Sequence, residues 1–112
     1  MGAKLTSKEK TKLRSQLYMR DGRKCHYCGI EEDDFRKVWG ELFYGSKRRG
    51  GTIEIDHKDN TKGNDMANCV LACALCNVAK SDKFEYEEFK RIGTVIREIW
   101  QRRKPVDKKG RN

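Results

Sequence analysis

The sequence has few apolar residues and no long apolar run. Only 36% of its 112 residues are hydrophobic and 38% are charged, so we expect a small core that needs a metal ion or disulfides for stability. No segment approaches the roughly 20 apolar residues that span a bilayer, and no apolar stretch follows the first charged residues as in a signal peptide. These absences predict a soluble, cytoplasmic protein without a membrane partner, in which cysteine pairs bind metal.

Histidine and proline are scarce, with two residues and one residue. Only His57 and His26 are candidates for a histidine base, and His26 lies inside a cysteine pair, where we expect it to be exposed or to contact a phosphate. No repeat or change in composition divides the chain. The sequence therefore predicts one domain over residues 1–105 and a disordered basic tail over 106–112.

The distribution of charge indicates a polyanionic partner. The formal net charge is +9, and residues 1–24 and 91–112 each contain eight basic and two acidic residues. The middle segment, 25–90, has a net charge of −3, as expected where carboxylates hold a cation. Basic arms around an acidic centre predict phosphate binding with metal chemistry between the arms, although lysine-rich ends also serve as solubilising tails.

Local patterns predict helices and strands in the order α, α, β, β, α, α. Thr6 and Glu9 form a capping box before the first helix, alternating β-branched residues indicate the first strand, and apolar residues at three- and four-residue steps indicate the last helix. The first four elements are expected at residues 7–20, 31–39, 52–56 and 69–72. The fifth is expected to begin between Cys73 and Cys76 and to include Lys80, and the sixth is expected at 85–103.

A glycine-rich segment, residues 40–51, separates the second helix from the first strand. It contains four glycines and the basic triplet Lys47, Arg48 and Arg49. This composition predicts an exposed, mobile loop. The triplet is a candidate contact to a nucleic-acid backbone.

Two CxxC pairs give the strongest chemical signal. Cys25 and Cys28 form the first pair, Cys73 and Cys76 form the second, and 44 residues separate the two pairs. Four thiolates match the closed tetrahedral site of structural zinc. A redox role would be typical of a thioredoxin-like βαβ unit, which the sequence does not resemble. The fifth cysteine, Cys69, is expected to be buried on the second strand.

Further motifs lie between the first strand and the last cysteine. An Asp-His pair ends the strand, an asparagine begins the second strand, and a CxxCN-x-x-K run opens the next helix. Together these motifs resemble the zinc-binding branch of the HNH endonuclease family over residues 25–83. The third motif residue is asparagine rather than histidine, a substitution common in that branch. The shared positions are Asp56, His57, Asn68, Cys73, Cys76, Asn77 and Lys80.

The resemblance implies a fold and a reaction. The fold would be of the α+β class, a ββα-metal (His-Me finger) domain with flanking N- and C-terminal helices. The reaction would be metal-dependent cleavage of DNA that leaves a 5′-phosphate and a 3′-hydroxyl. His57 would activate water, Asp56 and Asn77 would hold Mg²⁺ or Mn²⁺, Asn68 would fix the loop and orient His57, and Lys80 would contact a phosphate.

The residue types suit this chemistry independently of the resemblance. A neutral imidazole accepts a proton from water near neutral pH, and carboxylate and amide oxygens are ligands for hard divalent ions. Taken singly, the same residues also suit a turn, a cap or a helix start. Asp59 and Asp65 are alternative metal ligands or solvated loop residues, and Glu54 is expected to pair with a basic side chain.

A non-catalytic, zinc-stabilised module that binds nucleic acid is the alternative function. Small HNH proteins resemble phage packaging nucleases, restriction components and mobile-element enzymes alike. The sequence predicts DNA as the partner and leaves open whether phage or host proteins bind as well.

Overall fold

The structure is a computed structural model that describes residues 4–39 and 53–103. The predicted α+β class is confirmed, with two antiparallel strands and flanking helices in the expected order. The loop with Lys47, Arg48 and Arg49 and the tail over 106–112 lie outside the described residues. The elements are α1 (Ser7–Asp21), α2 (Glu32–Trp39), β1 (Ile53–His57), β2 (Cys69–Cys73), α3 (Ala74–Lys80) and α4 (Tyr86–Arg103).

The first helix begins and ends where its sequence predicts. Thr6 Oγ1 accepts a hydrogen bond from the Glu9 backbone N–H at 3.0 Å, and the Thr6 N–H donates to Glu9 Oε1 at 2.9 Å. This capping box satisfies two donors that the first turn leaves unpaired. Gly22 ends the helix with a φ of +86°, and its N–H donates to the Tyr18 carbonyl at 2.8 Å.

The two strands form an antiparallel pair at the centre of the molecule. Ile53 lies opposite Cys73, and His57 lies opposite Cys69. All five residues of β2 are buried, because α1 packs against this strand and α3 packs against both strands. The pairing therefore places the end of β1, with His57, beside the buried strand β2.

The long helix α4 packs its aromatic residues against the first cysteine pair. Phe89 and Trp100 are buried, as expected for core residues, whereas Val95 is 53% exposed and Ile99 is 36% exposed. The apolar face predicted for this helix is therefore only partly covered within the described residues, because a single edge of α4 faces the centre. No helix in the described segments has the length and apolar character needed to cross a lipid bilayer.

Candidate active site and metal centre

The four cysteines of the CxxC pairs form one buried cluster. Their Sγ atoms all lie within 4.8 Å of one another, and those of Cys28 and Cys73 are 3.9 Å apart. A tetrahedral zinc with Zn–S bonds of about 2.3 Å requires S–S distances of about 3.8 Å. The cluster therefore has the ligands and the spacing of a structural zinc site. Cys69 is buried on β2 outside this cluster.

The pKa values of these thiols are also consistent with a site for a cation. Burial opposes ionisation of Cys25, but hydrogen bonds from the neighbouring thiols outweigh it and lower the pKa of Cys25. Hydrogen bonding to Cys25 in turn raises the pKa of Cys73 and of Cys76. Four crowded thiols cannot all ionise unless positive charge enters the cluster, and Zn²⁺ supplies that charge when it binds thiolates.

The backbone of residues 25–29, around the first cysteine pair, forms a tight turn that we call the knuckle. The N–H groups of Tyr27 and Cys28 donate to Cys25 Sγ at 3.3 and 3.4 Å, and Gly29 has a φ of +76°, in the left-handed region that favours glycine. From α4, the indole Nε1 of Trp100 donates to the Cys28 carbonyl at 2.8 Å. This bond fastens α4 to the knuckle.

At the end of β1, a loop side chain fixes the ring of His57. The Nε2 atom lies 2.6 Å from Oδ1 of Asn64. A carbonyl oxygen only accepts hydrogen bonds, so Nε2 carries the proton and the neutral ring has an unprotonated Nδ1. Within the described segments Nδ1 makes no hydrogen bond. The ring is therefore held in the tautomer of a proton acceptor.

Asn77, on the second turn of α3, is held in a similar way. Its Nδ2 donates to Oε1 of Glu54 at 2.5 Å. Because the amide nitrogen is engaged, the orientation of the amide is fixed and its oxygen makes no other bond to the described residues. Glu54 was expected to pair with a basic side chain. The bond to the amide of Asn77 gives Glu54 an orienting contact besides any such pairing.

Asp56 is 6% exposed and lies beside two buried donors. The Tyr27 hydroxyl donates to Asp56 Oδ2 at 2.7 Å, and Lys80 Nζ lies 3.4 Å from the same oxygen. Burial and the bond to Asp56 raise the pKa of Tyr27, so the phenol stays protonated at neutral pH. One carboxylate oxygen of Asp56 is thus engaged, and Oδ1 makes no bond to the described residues.

Lys80 differs from its expected role. It was predicted to contact a phosphate, yet its side chain is 1% exposed. Its Nζ donates to the His57 carbonyl at 3.1 Å in addition to its contact with Asp56. This burial corrects the expectation, because a lysine enclosed beside a carboxylate cannot reach a phosphate on the surface. Lys80 instead holds the end of β1.

Asn68 organises the loop between the strands. Its Nδ2 donates to the carbonyls of Asp59 and Gly63 at 3.1 and 2.9 Å, and its Oδ1 accepts from the Asp59 N–H at 3.0 Å. This agrees with a residue that fixes the loop. The expected contact with the His57 ring is made by Asn64 instead, because every bond of the Asn68 side chain goes to the loop backbone.

The alternative metal ligands shape the same loop. The Asp59 carboxylate accepts bonds from the hydroxyl and the N–H of Thr61, which hold the pKa of Asp59 below its ordinary value. Asp65 Oδ1 accepts from the Asn68 N–H at 2.9 Å. Both residues are exposed. Their carboxylates cap the turns around Asn68.

A cleft of about 530 Å³ opens between α1, β1 and the loop. His57, Glu54 and Asn77 line this cleft together with basic residues of α1, of the segment before it and of the loop, so the cleft combines the candidate base with positive charge. The basic lining residues are Lys4, Lys10, Arg14 and Lys62.

Three residues of the site were missed by the sequence analysis as functional candidates. Glu54 bonds to Asn77, and Asn64 bonds to His57. Tyr27 bonds to Asp56. Glu54 had a weak signal, since a carboxylate alternates there with isoleucines on β1. Tyr27 had another, since an aromatic residue lies between two metal ligands. Asn64 had none, because asparagine is common in any polar loop.

The chain resembles known nucleases in sequence and in structure. No family model matches it. Over 66 residues, or 59% of the chain, it is 33% identical to the "SPbeta prophage-derived putative HNH endonuclease YoqL" of Bacillus subtilis (strain 168). The match covers 26% of that protein, so the chain spans about a quarter of the length of this curated relative.

The fold is similar to that of the rare-cutting HNH restriction endonuclease PacI. The TM-score is 0.66 and the sequence identity is 25%, over 91% of this chain and 69% of that chain. A similarity over nearly the whole chain extends beyond the strands and α3 to the flanking helices. Together with the motifs at the end of β1 and the start of α3, these two similarities support a relationship to HNH endonucleases.

Proposed function

We propose that the protein is a metal-dependent endonuclease that hydrolyses phosphodiester bonds of DNA. His57 is the general base, and Asp56 and Asn77 hold the catalytic divalent ion. One observation carries the proposal, the bond between His57 Nε2 and Asn64 Oδ1 at the mouth of a basic cleft. It leaves the second ring nitrogen as an acceptor beside positive charge, which suits a base acting on water near a phosphate.

The chemical step needs one proton acceptor. Nδ1 of His57 takes a proton from water as the water oxygen bonds to phosphorus. The bond from phosphorus to the 3′ oxygen breaks, and that oxygen leaves as a hydroxyl after gaining a proton from solvent. The products are a 5′-phosphate and a 3′-hydroxyl. The Asn64 carbonyl holds the ring while its charge changes.

The donor atoms of Asp56 and Asn77 suit a divalent cation. Asp56 and Asn77 each have one polar atom engaged by the protein and one oxygen without a bond to the described residues. A hard ion such as Mg²⁺ or Mn²⁺ prefers these oxygen ligands, and it supplies positive charge that stabilises the phosphate oxygens and the departing oxygen. With these two protein ligands, such an ion would take its remaining ligands from water and substrate.

DNA binding depends on the basic residues that line the cleft. Lys10 and Lys62 line the same cleft as His57, and cations so placed attract the phosphate backbone irrespective of base sequence. Lys47, Arg48 and Arg49 are proposed as further backbone contacts. Binding therefore weakens steeply as salt increases and shows little sequence preference.

The cysteine cluster holds structural zinc in this proposal. Four thiolates leave zinc without an open position, so the ion stabilises the fold and takes no part in hydrolysis. The prophage origin stated for the relative in Bacillus subtilis favours a role in a phage or mobile element.

Incubation with supercoiled plasmid separates this proposal from a module that only binds nucleic acid. Wild-type protein loaded with zinc should nick or linearise the plasmid when Mg²⁺ or Mn²⁺ is added, and should leave it intact without the added ion. Binding of plasmid without cleavage under every divalent ion would favour the non-catalytic module.

A further inference from the structure

The two halves of the cysteine cluster each deliver one side chain to the same carboxylate. Tyr27 lies between Cys25 and Cys28, and Lys80 lies four residues after Cys76. Both side chains reach Oδ2 of Asp56, at 2.7 and 3.4 Å.

Tyr27 is held rigidly where it makes this bond. Its ring is 3% exposed and packs edge-on against Phe89, with centroids 5.2 Å apart. Four residues further along α4, the backbone approaches so closely that a Cβ at Gly93 would lie 2.5 Å from the Tyr27 carbonyl oxygen. Only glycine allows this approach. The hydroxyl therefore has a fixed position relative to the cysteines and to Asp56.

Two donors on one oxygen determine how the carboxylate is turned. A carboxyl group rotates readily about its last torsion, and a buried carboxylate with a single partner would sample several orientations. Tyr27 and Lys80 both engage Oδ2, which fixes the plane of the group and directs Oδ1 away from them. Oδ1 is the oxygen that we assign to the divalent ion.

We propose that Tyr27 is a positioning residue that couples the zinc centre to the catalytic divalent ion. The zinc-bound knuckle fixes Tyr27, and Tyr27 fixes Asp56 so that Oδ1 is presented to the ion. This inference rests on the proposed function, because it assigns Asp56 to that ion. It goes beyond that function in giving the zinc centre control over the affinity of a second metal.

Tyr27→Phe removes one oxygen and keeps the ring that packs against Phe89. We expect Mn²⁺ to bind zinc-loaded Tyr27→Phe about 10-fold more weakly than wild type, the lower end of the effect of losing a residue that supports a metal ligand. Electron paramagnetic resonance titration of Mn²⁺ measures this affinity without any turnover. Tyr86→Phe is the matched control and should bind Mn²⁺ as wild type does, because its hydroxyl bonds to His26 on the surface.

The outcomes separate this inference from the proposed function. Unchanged or tighter Mn²⁺ binding by Tyr27→Phe, with Asp56→Asn losing the ion, would overturn the coupling and leave the nuclease proposal intact. If the wild type neither binds Mn²⁺ nor cuts DNA, both proposals fail. Zinc content must be equal in all variants.

If the Tyr27→Phe variant does not fold, a second measurement tests the coupling without that substitution. 3-Fluorotyrosine incorporated at position 27 of an otherwise unchanged chain reports on its hydroxyl through ¹⁹F NMR. We expect its resonance to shift on addition of Mg²⁺, with the same midpoint as Mg²⁺ binding. A resonance that does not move at saturating Mg²⁺ would contradict the coupling.

Discussion

Nε2 of His57 lies 2.6 Å from Oδ1 of Asn64, which fixes both the orientation and the tautomer of the ring. The pair is seven residues apart in the loop that follows β1, and Asn68 holds that loop through its backbone. The orientation and the tautomer of the candidate base thus depend on loop residues outside the Asp-His motif.

Replacing Asn64 with alanine should slow cleavage by about 10- to 100-fold, less than the roughly 10²- to 10⁴-fold contribution of a general base itself. The ring would lose its acceptor and populate both tautomers. Asn64→Asp keeps an acceptor and should cleave faster than Asn64→Ala. Single-turnover rates measure the effect, and equal rates for wild type and Asn64→Ala would show that the contact is incidental.

Glu54→Ala should raise the Mg²⁺ concentration needed for half-maximal cleavage about 10-fold, because the amide of Asn77 would no longer be oriented. A metal titration of the cleavage rate measures this concentration. Glu87→Ala, an exposed carboxylate on α4, serves as the control. The orienting role is excluded if both variants need the same Mg²⁺ concentration as wild type.

Lys10→Ala and Lys62→Ala should each weaken binding to duplex DNA of any sequence and reduce the slope of log K against log salt by about 1. Fluorescence anisotropy at several NaCl concentrations gives the slope. Lys8→Ala lies on the same helix but does not line the cleft, so it should have a smaller effect. A similar loss in all three variants would mean that total charge, not the cleft, determines binding.

Cys73→Ser should lose zinc and the cooperative unfolding transition. Structural zinc contributes on the order of 10 kcal/mol of binding free energy, which is comparable with the whole stability of a small domain, about 5–15 kcal/mol. Cys69→Ala, a buried cysteine outside the cluster, should keep zinc and lose about 1 kcal/mol. Elemental analysis and thermal circular dichroism measure both properties. Retention of one zinc per chain by Cys73→Ser would contradict the ligand assignment.

Local signals predicted the elements, and long-range contacts could not be predicted from them. The capping box of Thr6 and Glu9 and the two CxxC pairs act over a few residues and were found directly. The bond from Tyr27 to Asp56 joins residues 29 positions apart, and only the packing of the knuckle against β1 brings them together.

Lys80 shows why the rest of the site was not predicted. A lysine is seldom buried, and its sequence position gives no sign of a carboxylate partner 24 residues earlier. The structure encloses it between Asp56 and the His57 carbonyl. The predicted roles of His57, Asp56, Asn68 and Asn77 stay proposals, and their arrangement now identifies the neighbours through which each can be tested.

The proposal that zinc stabilises the fold while hydrolysis occurs at a separate site is tested most directly by His57→Ala. Cleavage of supercoiled plasmid and zinc content should be measured on the same preparation. We expect a loss of cleavage of about 10²-fold or more, with one zinc per chain and an unchanged unfolding transition. Cleavage at the wild-type rate, or loss of zinc together with activity, would contradict it.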